Sequence, residues 1–300
     1  MRYYKLSIIF VIIALFFVGA NSTQAASPFS LKISPLTFNF EIKKGGSETD
    51  KIFLTNPVNY QTKINFEVED FIMEDEQGTP KFLPKGSGKT TLASWIEVSA
   101  DNFYLSPNET KEIPFTITVP ANGEPGGHYA AIFFKTEPTS TKGQAQLEIS
   151  GRVGALVLVS VPGQVSKTGE ILEFKTPKFV NSGPVKLFVR FKNTGTVHYQ
   201  LGGTIKIYNW LGKETATVQL PEHLVLPGST RQFEGSWKAN FLFGKYKARL
   251  EMKDGGGNTR TAEAIFFAFP WKIGLIILGS LLILINITYI IKRKFKIVRK

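Results

Sequence analysis

From residue 31 to residue 269, short runs place an apolar side chain at every second position, and turn residues break the runs. A period of two sends alternate side chains to opposite faces of an extended chain, the pattern of a half-buried strand. "LTFNFEI" (36–42) sets Leu36, Phe38, Phe40 and Ile42 on one face before Lys44-Gly45-Gly46 ends it. "KIFLTN" (51–56), "KINFEVEDF" (63–71), "SWIEV" (94–98), "KEIPFTITV" (111–119), "HYAAIFFKT" (128–136) and "GRVGALVLVSV" (151–161) follow in the same style. About seven antiparallel strands at this spacing predict an immunoglobulin-like sandwich. The absence of a sustained helical period between them argues against a parallel α/β sheet, which needs crossover helices.

A second set begins past Pro162-Gly163, with Val165–Lys167 as the expected linker. Its strands are "EILEF" (170–174), "VKLFVRFKN" (185–193), "GTIKIYNW" (203–210), "ETATVQL" (214–220), "TRQFEGSW" (230–237), "GKYKARLEM" (244–252) and "TAEAIFFAF" (261–269). Three landmarks recur in one order across the two sets. "IFLTNP" (52–57) matches "VRFKNTG" (189–195), "LSPNETKEIPFTITVP" (105–120) matches "LPGSTRQFEGSW" (226–237), and "PGGHYAAIFF" (125–134) matches "FGKYKARLEM" (243–252). The expected fold class is all-β, two tandem immunoglobulin-like β-sandwich domains followed by a single transmembrane helix. The sandwiches are expected at 27–163 and 164–269, and the first is expected to fold alone with Trp95 and Tyr129 inward.

The ends set the topology. Residues 1–26 read as a signal peptide: Arg2 and Lys5 precede the apolar run Leu6–Ala20, and small residues follow at Thr23-Gln24-Ala25. An uncut anchor is the alternative. Ile273–Ile291 is free of charge and long enough to cross a bilayer, Trp271 stands at its entry, and the basic tail 292–300 follows. A helix over 270–291 with its C-terminus in the cytoplasm is therefore expected, leaving the body outside. The formal charge of +12 then has a topological origin. Two of the 36 Lys and Arg lie in the signal and seven in 270–300, so the body carries 27 against 24 acidic residues, a net of +3. That gives no case for nucleic acid. With no cysteine, the body must stand on its cores rather than on disulfides.

Candidate chemistry is sparse. "PKGSGKTT" (84–91) imitates the tail of a phosphate loop, but the first glycine of that motif belongs at 83, where Leu83 stands. Pro84 lies in the would-be cradle, and "TLASWIEV" after it reads as a strand instead of a helix N-terminus. His128, His198 and His223 lack metal-ligand spacing, and no nucleophile elbow is present. Glu67, Glu69, Asp70, Glu74, Asp75 and Glu76 form one acidic cluster without the spacing of a calcium loop, so a solvated loop is the expectation. "AIFF" (131–134) and "AIFFAF" (264–269) read as inward strand faces plus contacts at the membrane end. No catalytic, cofactor-binding or metal residue is assigned, and no enzyme activity is expected.

At "SWIEVSADNFYLSPNETKEIPFTITVPANGEPGGHYAAIFF" (94–134) the chain resembles the N-terminal domain of the WxL-interacting protein family of bacterial surface proteins. "LKISPLTFNF…GGSETDKIFLTNP" (31–57) is similar to that family's opening strands, and 168–269 with the anchor looks like its second domain. The resemblance implies a peptidoglycan partner for the first domain and a WxL-domain protein for the second. A broader likeness to pilus-chaperone domains also marks the N-terminal sandwich. The sequence reading is thus a membrane-anchored bacterial cell-surface binding protein, with recognition at loops 72–92 and 136–148. The alternative is an envelope assembly factor or chaperone that binds clients by strand addition.

Overall fold

The computed structural model describes residues 31–84, 92–99, 102–137, 151–239 and 241–294. The signal segment 1–26, most of loop 136–148, all of "GSGKTT" past Pro84 and the end of the basic tail lie outside the described residues.

In the first sandwich a 4-stranded sheet has the order β1 (Lys32–Ser34), β3 (Ser47–Thr55), β8 (Thr110–Thr118), β6 (Ile96–Val98). The facing sheet runs β2 (Thr37–Glu41), β10 (Arg152–Val161), β9 (Gly126–Glu137), β4 (Thr62–Met73), β5 (Pro80–Leu83), and β7 (Phe103–Leu105) also pairs with β4. In the second sandwich β11 (Gly169–Lys175), β13 (Val185–Asn193) and β16 (Thr230–Trp237) form a 3-stranded sheet. It faces a 5-stranded sheet of order β12 (Phe179–Val180), β18 (Thr259–Ala268), β17 (Gly244–Lys253), β14 (Tyr199–Asn209), β15 (Glu214–Val225). Ile52, Leu54, Phe115 and Phe134 are central to one core, and Val189, Phe191, Phe233 and Phe266 to the other. Full burial of each such side chain contributes about 1.5–3 kcal/mol.

The two sandwiches share a construction. In each, the first strand changes sheets: β1 lies antiparallel on β3 and β2 parallel on β10, while β11 lies antiparallel on β13 and β12 parallel on β18. The matched asparagines do the same work. Buried Asn56 donates from Nδ2 to the carbonyls of Tyr60, Leu105 and Ser106 (2.8, 3.2 and 3.0 Å) and accepts from the Val58 amide. Buried Asn193 donates to the carbonyls of Val197 and Val225 (3.0 and 2.9 Å) and accepts from the Gly195 amide at 2.8 Å. Each side chain ties the end of one strand to its own turn and to the Pro-centred turn across the sandwich. Those turns also match, with Asn108 at φ 59° and Gly228 at φ 72° after Pro107 and Pro227.

Two expectations need correction. Tyr129 does not face the core of the first sandwich. Counted from the glycines that open β9 and β17, Gly126 and Gly244, Tyr246 stands two residues on and points into its core, whereas Tyr129 stands three residues on. One residue flips the face of a strand. The inward position belongs to His128, which is buried and packs on Trp95 with ring centroids 4.4 Å apart. The run around Trp95 is also not all strand. Leu92–Trp95 forms one helical turn, α1, before β6 begins. Asp70 explains the turn, because its buried carboxylate accepts the Ala93 amide at 2.8 Å. Trp95 itself is half-buried and packs against the edge of the core.

Tyr129 belongs instead to a third cluster, with Phe71, Leu158 and Leu226, at which the two sandwiches meet. His198 of the second sandwich closes it, its ring nitrogens 3.2 Å from the Tyr129 hydroxyl and 3.0 Å from Asn39 Oδ1. The expected linker is not a free tether. The Ser166 amide donates to Thr196 Oγ1 and the Thr196 amide to the Ser166 carbonyl, both at 2.9 Å, and the Gly127 amide reaches the Thr196 carbonyl at 2.9 Å. Gly195 permits this approach, since a Cβ there would lie 2.3 Å from the Ser166 carbonyl oxygen.

Past β18 the chain enters the helix α2 (Trp271–Lys294). Trp271–Arg293 is long and apolar enough to cross a membrane, with mean hydropathy 2.4, and none of its apolar stretch is buried against the sandwiches. Ser280 and Thr288 turn their hydroxyls back to the carbonyls of Ile277 and Ile285, which satisfies both polar groups within the helix.

Candidate interaction surfaces

The acidic cluster disperses in the fold. Glu67 and Glu69 lie on the outer face of β4 and pair with Arg152, and Glu67 also pairs with Lys135. Burial pushes the Glu67 carboxyl up, but hydrogen bonds and charge from Lys135 and Arg152 outweigh it and hold the group below the usual carboxylate range. Glu74 faces Lys81 at 3.5 Å, and Asp75 caps the Thr79 amide at 2.9 Å. Glu76 reaches the second sandwich, where Arg190 grips it through Nε at 2.8 Å and Nη2 at 2.5 Å. Its backbone carbonyl accepts the Gln232 amide at 2.7 Å. Among the described residues no three His, Cys, Asp or Glu side chains converge as metal ligands would.

The tip of loop 72–92 is therefore not the free recognition loop expected from the sequence. Its described part, the β4–β5 hairpin, clamps one sandwich to the other. The histidines also separate. His128 Nε2 lies 2.9 Å from the Glu124 carbonyl, His198 sits in the junction, and His223 packs near Phe233 at 5.4 Å. Burial, with the nearby Lys167 charge, lowers the His198 pKa to about 4, so the ring is neutral at ordinary pH.

What remains as interaction surface is the set of strand edges, and most are closed to a further strand. The uncovered stretches of β3 and β8 carry Glu48, Asp50, Lys51, Lys111 and Glu112, charges of the kind that blunt edges. The β4 hairpin crosses β16 at Gln232. A bulge interrupts β11 between Ile171 and Glu173, and β15 carries Pro221 beside its own register shift.

Among the described residues the longest regular stretch without a paired neighbour is on β18, although β11 passes close beside it. β18 pairs with β17 along its whole length, from Thr259 to Ala268, without a register shift. On the other side β12 covers only Phe267 and Ala268. The amides of Phe267 and Phe269 donate to Lys178 and Val180 on that side, both at 3.0 Å. Backbone groups alternate along an antiparallel strand. Those of Thr259, Thr261, Glu263 and Ile265 therefore point the same way, beyond the end of β12. The stretch holds neither proline nor glycine, and half-exposed Ile265 and Phe267 project on the outer face. The sequence marked this strand but not its open side, because the extent of β12 fixes the opening and two residues carry no periodic signal.

No protein-family model and no curated protein matches the chain. Solved structures similar to it include the class 5 fimbriae chaperone CfaA, with 14% identity and a TM-score of 0.42 over 79% of this chain and 99% of that one. A chaperone–tip adhesin complex of CFA/I fimbriae gives 12% and 0.40 over 79% and 99%, and the E. coli chaperone DraB gives 16% and 0.38 over 79% and 98%. These values carry no function across. The family resemblance drawn from the sequence needs correction. No family model matches, the WxL-interacting one included, and the three structures named are of fimbrial chaperones, alone or with an adhesin, so the peptidoglycan and WxL-domain partners that rested on that resemblance lose their support.

Proposed function

We propose that this chain is a membrane-anchored, outward-facing protein-binding module that takes an extended segment of another envelope protein by strand addition. The observation that carries this is the edge of β18 from Thr259 to Phe266, which has no paired neighbour among the described residues and runs without bulge, proline or glycine, its charges Arg260 and Glu263 being ion-paired within the sandwich. An added strand would continue the line of β12 and use the outward amides and carbonyls of Thr261, Glu263 and Ile265. Main-chain hydrogen bonds would supply affinity, and the side chains beside Ile265 and Phe267 would supply selectivity. The helix α2 would hold the module at the membrane. The chaperone–adhesin complex named above agrees with this reading, which does not rest on it.

Proline substitution at Thr261 tests the reading. It removes one outward amide and leaves the β17 ladder, which uses the neighbouring residues. Extended peptides selected on the full chain in detergent should lose binding to Thr261→Pro, while circular dichroism and thermal unfolding stay close to the parent. Undiminished binding to a well-folded Thr261→Pro variant would reject strand addition at this edge.

A further inference from the structure

The ends of the second sandwich differ in kind. At one end the β17–β18 turn reads Asp254-Gly-Gly-Gly-Asn258 and the turn before β16 reads Pro227-Gly-Ser229, both polar. At the other end, where Gly244 pairs with Ala268, exposed apolar side chains gather. Phe179, Trp210, Leu211, Phe241, Phe243 and Phe269 come from the ends of β12, β14 and β18 and from the loop ahead of β17. Trp210, Leu211 and Phe241 are 66%, 68% and 63% exposed, far more than a soluble rim requires.

These residues form a surface continuous with α2. The Trp210 ring lies over Gly244, 3.2 Å from where a Cβ would stand. Phe243 and Phe269 pack with centroids 6.0 Å apart, and Phe269 rests on the first turn of the helix, 3.6 Å from a Cβ placed at Gly274. Basic side chains flank the rim. On the outer face of the sheet Lys245 lies opposite Phe267 and Lys247 opposite Ile265, lining a groove that runs down from Trp210, in which Lys247 also pairs with Glu263 at 3.4 Å.

A short tether keeps this rim near the membrane if α2 spans a bilayer. Between Ala268 and Trp271 the chain reaches at most about 10 Å, at roughly 3.3–3.6 Å per residue. The interfacial layer on each side of the hydrocarbon is about 5–8 Å thick. The tether is folded well short of that reach, because the Trp271 amide donates to the Phe269 carbonyl at 2.8 Å, so the rim is held at the level of this layer.

We infer that this end of the second sandwich is itself a lipid-binding surface, with the aromatic and aliphatic rim seated in the bilayer interface and Lys245 and Lys247 toward anionic headgroups. The inference rests on the membrane-anchor reading of α2. It adds that the second sandwich lies against the membrane instead of swinging on a flexible stalk, which fixes the direction in which the β18 edge is presented.

Because the chain has no cysteine, single labels can be placed at will. The full chain carrying Leu211→Cys, Phe241→Cys, Lys253→Cys or Ile283→Cys is labelled with an environment-sensitive fluorophore and reconstituted in vesicles of phosphatidylcholine and phosphatidylglycerol. Spin-labelled lipid then serves as the quencher. Labels at 211 and 241 should be quenched most strongly by lipid spin-labelled near the headgroup, the label at 283 by lipid spin-labelled deep in the acyl chain, and the label at 253, at the polar end, by neither. Quenching at 283 with none at 211 or 241 would overturn the lipid surface and leave the anchor standing. Blue-shifted but unquenched labels at 211 and 241 would mean that protein covers the rim, which also overturns it. A label at 283 that escapes quenching would remove the anchor, and the inference with it.

Discussion

Replacing Asn193 by alanine removes a side chain that is 0% exposed and makes three hydrogen bonds, to the Val197 and Val225 carbonyls and from the Gly195 amide. Water cannot take its place, so three backbone groups lose a partner in a dry site. A buried group left unsatisfied costs about 1–3 kcal/mol, so the loss should be on the order of 3–5 kcal/mol. A domain has roughly 5–15 kcal/mol in all. Asn56→Ala should cost a similar amount in the first sandwich, because its amide serves the corresponding carbonyls. An aspartate at either position keeps the shape but turns the donor into an acceptor facing carbonyl oxygens, so it should be no better than alanine. Urea denaturation of the full chain in detergent, followed by Trp fluorescence and circular dichroism, reads both changes. If both alanine variants stay within about 0.5 kcal/mol of the parent, the range of an ordinary surface site, the shared-pin account of the two sandwiches is wrong.

The junction should weaken in acid. The His198 pKa is depressed to about 4 in the folded chain, against about 6.5 unfolded, so its contribution is whole above pH 6.5 and is lost as pH falls toward 4. The ceiling is on the order of 3 kcal/mol. Denaturation at pH 7.5 and pH 4.5 should show a smaller drop for His198→Gln than for the parent, and an equal drop would refute the assignment. The isolated fragment 27–163 is expected to fold, and Trp95→Ala within it should cost about 2–3 kcal/mol, less than the ~3–5 of a fully buried aromatic, because Trp95 is half-buried. An unfolded parent fragment or an unaffected mutant in denaturation would count against this. External protease on cells stripped of outer barriers should digest the body and leave a small fragment containing α2; full protection would reverse the topology.

The strands were legible where two-residue alternation ran for several positions, as in Thr37–Glu41 or Val185–Asn193. β1, β5, β7 and β12 were missed, since two to four residues hold too little alternation to register. The face of Tyr129 depended on counting from Gly126, and the likeness of "GGHY" to "FGKY" concealed one residue of offset. Trp95 read as strand because local pattern cannot report that Asp70, far away in sequence, accepts the Ala93 amide. The acidic cluster looked like a solvated loop, and its partners Lys135, Arg152 and Arg190 lie on other strands. The open edge was not legible at all, because an unpaired side is a property of the sheet and not of the strand.

Amide exchange resolved along β18 tests the central claim most directly. In the free chain the amides of Thr261, Glu263 and Ile265 should exchange rapidly while those of Ala262 and Ala264, bonded to β17, stay protected. Addition of a bound extended peptide should bring the first set to the protection of the second. Uniform protection in the free chain, or no change on adding peptide, would contradict the account.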